Sequence, residues 1–482
     1  MRIHDTAFYS ILFFLAGVFA ASFGLNFITV VFAAALAAVL FLSAYFFGNK
    51  NKKLVYFSVL SVFVVFGSFY YSAYNFYKIS NARILLDKKI IFQGIVRESS
   101  SRSWQQDLIV DLKEPFAGKI SVNSRQFPIF NYGDLVEFNG VISRADKSLF
   151  LRSGVLAVSR LPEAKLVSQN NGSSVKAFLL SFKNGIIGVF QKSLPVQQAA
   201  FLSGITLGQR SEFSKEFKNQ MSQSGTTHLV ALSGYNISIL VFVVSLTLGY
   251  FFSRRLTFWL TVLVIIGFVV MVGAEASVVR AAVMGGILLL AAQVSRIYSF
   301  RNAIAVAAFL MVLANPATLV FNIGFQLSFL ALIGIVYILP AIKKIFKISE
   351  EEGIMAWKEN FLTTLSAQLA VAPLLVSYFG GFSLVSLVAN ILILNVIPLT
   401  MALGFILAGI GFASLPLALV FGRFVNLLLS YEIGVIRFFG SLNVLQIKSM
   451  NYYLIALYYL LLAGFVVYVN YPNLLNVKNE NS

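Results

Sequence analysis

The chain has no cysteine, which excludes disulfide staples and thiolate metal sites, and its two histidines are too few for most clustered metal centres. No metal and no cofactor is therefore expected. Charge is scarce too, at 12% of 482 residues, against about a quarter in an ordinary soluble domain. No G-x-x-x-x-G-K-S/T phosphate loop occurs, so any ATP-driven work would fall to a partner. Acids are the scarcer sign, 19 against 37 basic residues, for a formal net charge of +18. That excess reads either as the Lys and Arg of cytoplasmic loops or as a basic surface for an anionic polymer.

What is abundant sets the class. Hydrophobic residues make up 58% of the chain and mean hydropathy is +0.82, so a polytopic α-helical membrane protein is expected. Many of the 48 Phe and 20 Tyr cluster at span ends, as in residues 45–47 and 69–77, where amphipathic rings favour the membrane interface. Residues 1–80 carry about three spans, at 7–25, 27–47 and 54–77, each near the length of about 20 residues that a bilayer requires. Lys50, Lys52 and Lys53 lie between the second and third, which puts the amino terminus in the cytoplasm by the positive-inside rule.

Residues 83–165 contain no apolar run long enough to cross a bilayer and are expected outside the membrane, on its extracytoplasmic side. Short strands at 90–96, 108–112, 119–122, 135–142 and 149–158, separated by turn signals, suit an inserted all-β barrel of the OB type. Such barrels bind single strands through basic grooves and aromatic platforms, with Trp104, Arg102, Arg125, Phe127 and Tyr132 as candidates. Phe116 and Phe130 are further aromatics there. The competing role for aromatics in a small barrel is its core. With thirteen basic against nine acidic residues, the segment is only mildly basic.

Over residues 173–193 the apolar positions repeat at helical spacing between lysines, which predicts an amphipathic helix on the membrane surface. Residues 195–208 are apolar but short, and either re-enter the membrane or pack against the bundle. Spans follow at 228–252, 256–273, 278–295, 302–314, 318–340, 361–379, 383–398, 400–414, 417–437 and 451–470, then a short tail at 471–482. Placing Arg254-Arg255, Arg296 with Arg301, and Lys343, Lys344 and Lys347 inside is consistent with that order.

Within the 195–470 bundle, residues 224–240 read S-G-T-T-H-L-V-A-L-S-G-Y-N-I-S-I-L, with His228, Ser233, Gly234 and Asn236 at the mouth of an apolar run. Polar groups at membrane depth are costly unless they face a protein interior or a water-filled path. On one continuous helix His228 and Tyr235 would lie about 20° apart, and His228 and Ser233 about 140°. A His–Ser nucleophilic pair is thereby disfavoured, and no catalytic residue is expected.

The segment H-L-V-A-L-S-G closely resembles the signature of the ComEC family of bacterial competence membrane proteins. Residues 200–211 (A-F-L-S-G-I-T-L-G-Q-R-S, with Arg210), S-V-V-R-A-A around Arg280 and G-F-Q-L-S-F around Gln326 resemble further elements of that family in the same order. The stretches from Gln368 to Pro373 and from Asn390 to Pro398 resemble its later Q-x-x-x-x-P and N-x-x-x-x-P pieces. The resemblance implies a channel or permease subunit of the bacterial cytoplasmic (inner) membrane that passes single-stranded DNA inward during natural transformation. It also implies an external OB domain that receives the DNA, a cytoplasmic ATP-driven translocase and an extracytoplasmic DNA receptor.

Its candidate path residues are His228, Ser233, Gly234, Asn236, Arg210, Arg280, Gln326, Gln368 and Asn390. Each has a plainer role open to it: His228 a polar cap with Thr226 and Thr227, Arg280 a partner for Glu275, the amides and Asn395 inter-helix hydrogen bonds. Pro373 and Pro398 are candidate helix breaks where backbone carbonyls line a cavity.

Two departures stand out. Many members read S-G-L-H where this chain has S-G-Y-N, so Asn236 replaces a histidine. Many also continue into a metallo-β-lactamase-like domain, whereas this chain ends about a dozen residues after its last span, so no enzyme is expected and a separate nuclease would degrade the other strand. The alternatives are a secondary transporter of a small anionic substrate and an envelope assembly protein without transport.

Overall fold

The structure, a computed structural model, describes residues 3–24, 27–47, 52–101, 105–146, 149–150, 153–209, 213–230, 234–294, 299–346, 357–379, 386–442 and 451–470. The chain divides into two compact units, Met1–Phe182 with Val262–Phe325, and Lys183–Thr261 with Gln326–Ser482.

The first unit begins with three apolar helices, α1 (Ile3–Ser22), α2 (Phe27–Phe47) and α3 (Lys52–Ser80). Helices α1 and α3 touch backbone to backbone. A Cβ on Gly17 would lie 2.0 Å from the Val64 carbonyl oxygen, and one on Gly67 2.1 Å from that of Phe14, so any larger residue would force the helices apart.

The chain then forms a barrel of β1 (Lys89–Ser101), β2 (Gln105–Leu112), β3 (Lys119–Arg125), β4 (Leu135–Arg144), β5 (Ala157–Arg160) and β6 (Glu163–Ser168). Strands β1 to β3 form an antiparallel meander, β3 pairs in parallel with β5, β5 pairs with β4, and β4 closes back onto β1. That order is OB-like. Burial alternates along β2 and β3, and the inward set includes Phe92, Val96, Leu108, Val110, Ile120, Val122 and Phe138. Phe92 and Phe138 face each other across β1 and β4 and stack with centroids 5.3 Å apart.

Two details differ from the sequence reading. Residues 149, 150 and 153 are helical rather than extended, and the strand in that region is confined to β5. The apolar residues there do not alternate, and Gly154, at φ +69°, ends the turn with its N–H on the Phe150 carbonyl at 2.8 Å. The sixth strand, β6, extends past residue 165 and shares one edge of β4 with β5.

Helix α4 (Ser174–Ser193) follows, with Val175, Phe178 and Phe182 exposed and Ile186, Ile187, Val189 and Phe190 buried. The second unit adds α5 (Val196–Leu207), α6 (Lys215–Gln223), a 3-10 turn (Thr227–Leu229), α7 (Gly234–Phe251) and α8 (Arg254–Val272). The first unit resumes with α9 (Ala276–Gln293), α10 (Phe300–Ala314) and α11 (Thr318–Phe321). Helix α12 (Ile323–Ile333) runs through a π turn (Gly334–Ile338) into α13 (Leu339–Phe346), followed by α14 (Trp357–Phe379), α15 (Ser386–Leu394), α16 (Ile397–Ala413), α17 (Leu415–Ser441) and α18 (Tyr452–Asn470). Helices α4, α8 and α12 are each divided between the units.

Among the described residues eight helices are long and apolar enough to cross a membrane, and the bent pair α15–α16 makes up to nine. The protein is a multi-pass membrane protein with an OB-like barrel inserted after its third helix. Helix α5 is buried at every position from Ala199 to Leu207. At 12 residues it is too short to cross and packs inside the second unit instead.

The two prolines diverge. Pro398 sits in the first turn of α16, after a 46° bend between α15 and α16. Pro373, also expected to break its helix, lies inside α14, which continues unbroken to Phe379. Proline removes the N–H that would reach the Leu369 carbonyl. The Tyr458 hydroxyl of α18 donates to that carbonyl at 2.8 Å, and Tyr459 donates to the next one, Ala370, at 3.0 Å.

Candidate conduit site in the helical bundle

The site is built from the segment that leads into α7. Helix α6 starts at Ser214, whose hydroxyl accepts from the Phe217 N–H at 3.1 Å, and it buries Phe217 and Met221 on one face. It ends at Ser224, whose hydroxyl lies 2.8 Å from that of Thr226, both fully buried. Between them Gly225 adopts φ +68°, and a Cβ there would lie 2.3 Å from the Cβ of Ser386 on α15. Glycine is required on both counts, for the left-handed backbone and for the close approach.

The 3-10 turn that follows carries His228, which is exposed. Its Nδ1 lies 3.1 Å from the Gly225 carbonyl oxygen. A carbonyl only accepts, so Nδ1 carries the hydrogen and the neutral ring keeps Nε2 as an acceptor. His228 therefore belongs to a turn and not to the spanning helix, which begins at Gly234. The angular relation between His228 and Tyr235 expected from one continuous helix does not hold.

Asn236, in the first turn of α7 and 4% exposed, donates from Nδ2 to the Ile205 carbonyl oxygen at 2.9 Å. Ile205 is in the last turn of α5, where carbonyls have no N–H one turn ahead to meet them. The bond thus closes a helix end and ties α7 to α5. On α14, Gln368 donates from Nε2 to the Ser386 hydroxyl at 3.3 Å. Asn390, one turn beyond Ser386 on the same face of α15, is buried. The second unit thus brings together Ser224, Gly225, Thr226 and His228 on one segment with Gln368 and Ser386 from α14 and α15.

The remaining expected positions are placed as follows. Gln326 is half-buried on α12. Arg280 is buried on α9, in the first unit. Ser233, Arg210, Trp104 and Arg102 lie outside the described residues.

On the barrel, Arg125 and Phe127 are exposed at the end of β3 and in the loop after it. Tyr132 is not a free platform. Its hydroxyl accepts from the Ser173 N–H at 3.1 Å, and the Lys176 ammonium stands 4.6 Å from its ring centroid, both from the chain entering α4. Phe130 is core, at 1% exposure, and Phe116 packs against that core.

Sequence reasoning passed over Glu432, Thr400, Tyr458 and Tyr459. Glu432 is fully buried on α17 and accepts from the Thr400 hydroxyl of α16 at 2.7 Å. The available signal was an acid inside an apolar span. The tyrosines carried no such signal, because interfacial tyrosines and hydroxyl donors look alike in a sequence.

A family model described as "Competence: Competence protein" matches residues 205–471. Among curated proteins, "ComE operon protein 3" of Bacillus subtilis (strain 168) is 30% identical over 217 residues, which are 44% of this chain and 26% of that protein. The chain thus spans about a quarter of the length of that relative. No solved structure matches the chain significantly.

Proposed function

The chain belongs to the competence protein family, and from that premise we propose that it is the membrane subunit that passes single-stranded DNA into the cytoplasm during natural transformation. The observation that carries this reading is the close approach of Gly225, whose carbonyl meets His228, to Ser386, which accepts from Gln368 in the second unit. Polar residues from the family's separate sequence elements gather in one place, as a hydrated path for a polyanion requires.

In this reading the chain lies in the cytoplasmic (inner) membrane with its amino terminus inside. The barrel lies outside and receives DNA weakly on its Arg125 and Phe127 face. A cytoplasmic ATP-driven translocase, an extracytoplasmic DNA receptor and a separate nuclease complete the system, and the chain itself is not an enzyme.

The test is entry of labelled DNA into the cytosol of cells with and without this chain. His228→Ala and Arg280→Leu should each lower entry at unchanged membrane abundance. Arg280→Lys should keep part of it, because lysine retains charge without the planar fork that grips phosphate. Full uptake in Arg280→Leu together with Glu275→Gln would reject a phosphate-gripping arginine. Topology is read separately in this cysteine-free chain with Ser101→Cys and Ser253→Cys. An impermeant thiol reagent should label the first in intact cells and spare the second.

A further inference from the structure

Among the described residues Glu432 is the acid that the bundle buries most completely, with no exposed surface. It lies roughly 6 Å along α17 from the midpoint of that 27-residue helix. Its Oε1 accepts the Thr400 hydroxyl at 2.7 Å, and its Oε2 is buried without a hydrogen-bond partner among the described residues. Thr400 is itself fully buried.

Among the described residues the helices packed most closely against α17 are α16, α15, α5 and α6, and Ser193 at the end of α4 meets it at Gly422. Helices α16, α15 and α5 contain no charged residue. Lys215, Glu216 and Lys218 of α6 and Lys192 of α4 are all exposed. On α17 itself Arg423 and Arg437 are exposed, Arg437 donates to Gln197, and the Tyr431 hydroxyl donates to the Leu392 carbonyl at 3.3 Å. The Thr400 hydroxyl is thus what meets the Glu432 carboxyl, and no cation among the described residues joins it.

An ionised carboxylate with one hydrogen bond and no neighbouring cation is a costly species in such a place. A protonated carboxyl costs less, since it is neutral and still accepts from Thr400 on one oxygen. Asn390 of α15, which also packs on α17, buries an amide oxygen that has no hydrogen-bond partner among the described residues. Both orphaned groups are oxygens that lack a hydrogen-bond donor, and protonation of the carboxyl is the change that this pocket can make without a new partner.

We propose that Glu432 and Thr400 form a proton-binding site inside the helical bundle, occupied while α16 and α17 are packed together and emptied only when those helices part enough to admit water. The site is independent of what the bundle passes. It links proton occupancy to the packing of two helices, because the proton leaves an oxygen that then has no solvation until the helices move.

The full chain in lipid nanodiscs is probed by infrared spectroscopy across a pH series, without added sodium and then with it. A protonated-carboxyl C=O band is expected at neutral pH, lost in Glu432→Gln and shifted in Glu432→Asp and in Thr400→Val. The aspartate and valine variants keep the assignment readable even where the glutamine variant fails to accumulate. Thermal stability of the wild type should fall as pH rises, because the protonated form is the one that the packed helices hold. In Glu432→Gln that dependence should flatten. A wild type without the band at neutral pH, or a band that Thr400→Val leaves unmoved, overturns the proposal. Sodium that removes the band at constant pH would make the site a metal-cation site and overturn it as well.

Discussion

The barrel and the bundle meet the same problem, a backbone carbonyl without its N–H, in different ways. In the barrel one buried side chain serves a whole loop. The Gln106 amide nitrogen lies 2.8, 2.9 and 2.7 Å from the carbonyls of Arg125, Gln126 and Pro128, and its oxygen accepts from the Phe130 N–H at 2.9 Å. The β3–β4 loop makes no ladder there, so the glutamine replaces one.

In the helical parts of each unit the donors are spread out, each serving a single helix end or break. Tyr70 and Tyr74 of α3 donate to Leu313 and Ala314 in the last turn of α10. Asn236 donates to Ile205, Tyr431 to Leu392 in the last turn of α15, and Tyr458 to the carbonyl freed by Pro373. A loop at a barrel rim has water as a fallback, whereas a helix end at membrane depth has none, so each such end needs its own donor.

The largest effect is expected where one side chain serves the most groups. Gln106→Leu should cost roughly 3 kcal/mol in the barrel, since it strands several buried groups at once. Amide hydrogen exchange of the full chain should show faster exchange over residues 125–130. Unchanged protection there would mean that the loop is held by its packing alone.

Asn236→Leu comes next, at roughly 1–2 kcal/mol, because it leaves one buried carbonyl unmatched. Thermal unfolding in detergent measures it. Asn236→His, which keeps a ring N–H, should cost less than the leucine. Equal losses in both would remove the hydrogen bond from the explanation.

A cycle of Tyr458→Phe and Pro373→Ala sharpens the comparison further. Tyr458→Phe alone should cost about 1 kcal/mol, but close to nothing once alanine at 373 supplies the N–H that proline lacks. Additive effects in the double variant would show that the hydroxyl and the proline act separately.

The smallest effect belongs to a surface pair on the barrel, Arg97 and Asp111 at 2.7 Å, both more than a third exposed. The hydrogen bond to Asp111 raises the Arg97 guanidinium above its ordinary value, so that side chain is charged at every working pH. Arg97→Met should cost less than about 1 kcal/mol, and less again at high salt. A cost matching that of Gln106→Leu would mean that burial does not set the ranking.

The sequence by itself determined what composition and local pattern control. The apolar runs dictate spanning helices because about 20 residues must cover the hydrocarbon. The alternation in β2 and β3 dictates a two-sided strand, and Pro398 suits a helix start because the first turn has no intrahelical use for its missing N–H. Tertiary structure decided the rest. Pro373 was legible as a proline but not as a helix interior, because the donors that make it tolerable stand on α18, some 85 residues later in the chain. Tyr132 was legible as an aromatic but not as an occupied one, since Ser173 and Lys176 lie some 40 residues later in the chain and meet it only through the fold. Glu432 could be read as a charge, while its meaning came from the four helices around it, which offer one hydroxyl and no cation among the described residues. Helix and strand patterns are set by neighbours in the sequence, but a buried polar atom is satisfied by whichever element folds against it, and nothing in its local sequence records which one that is.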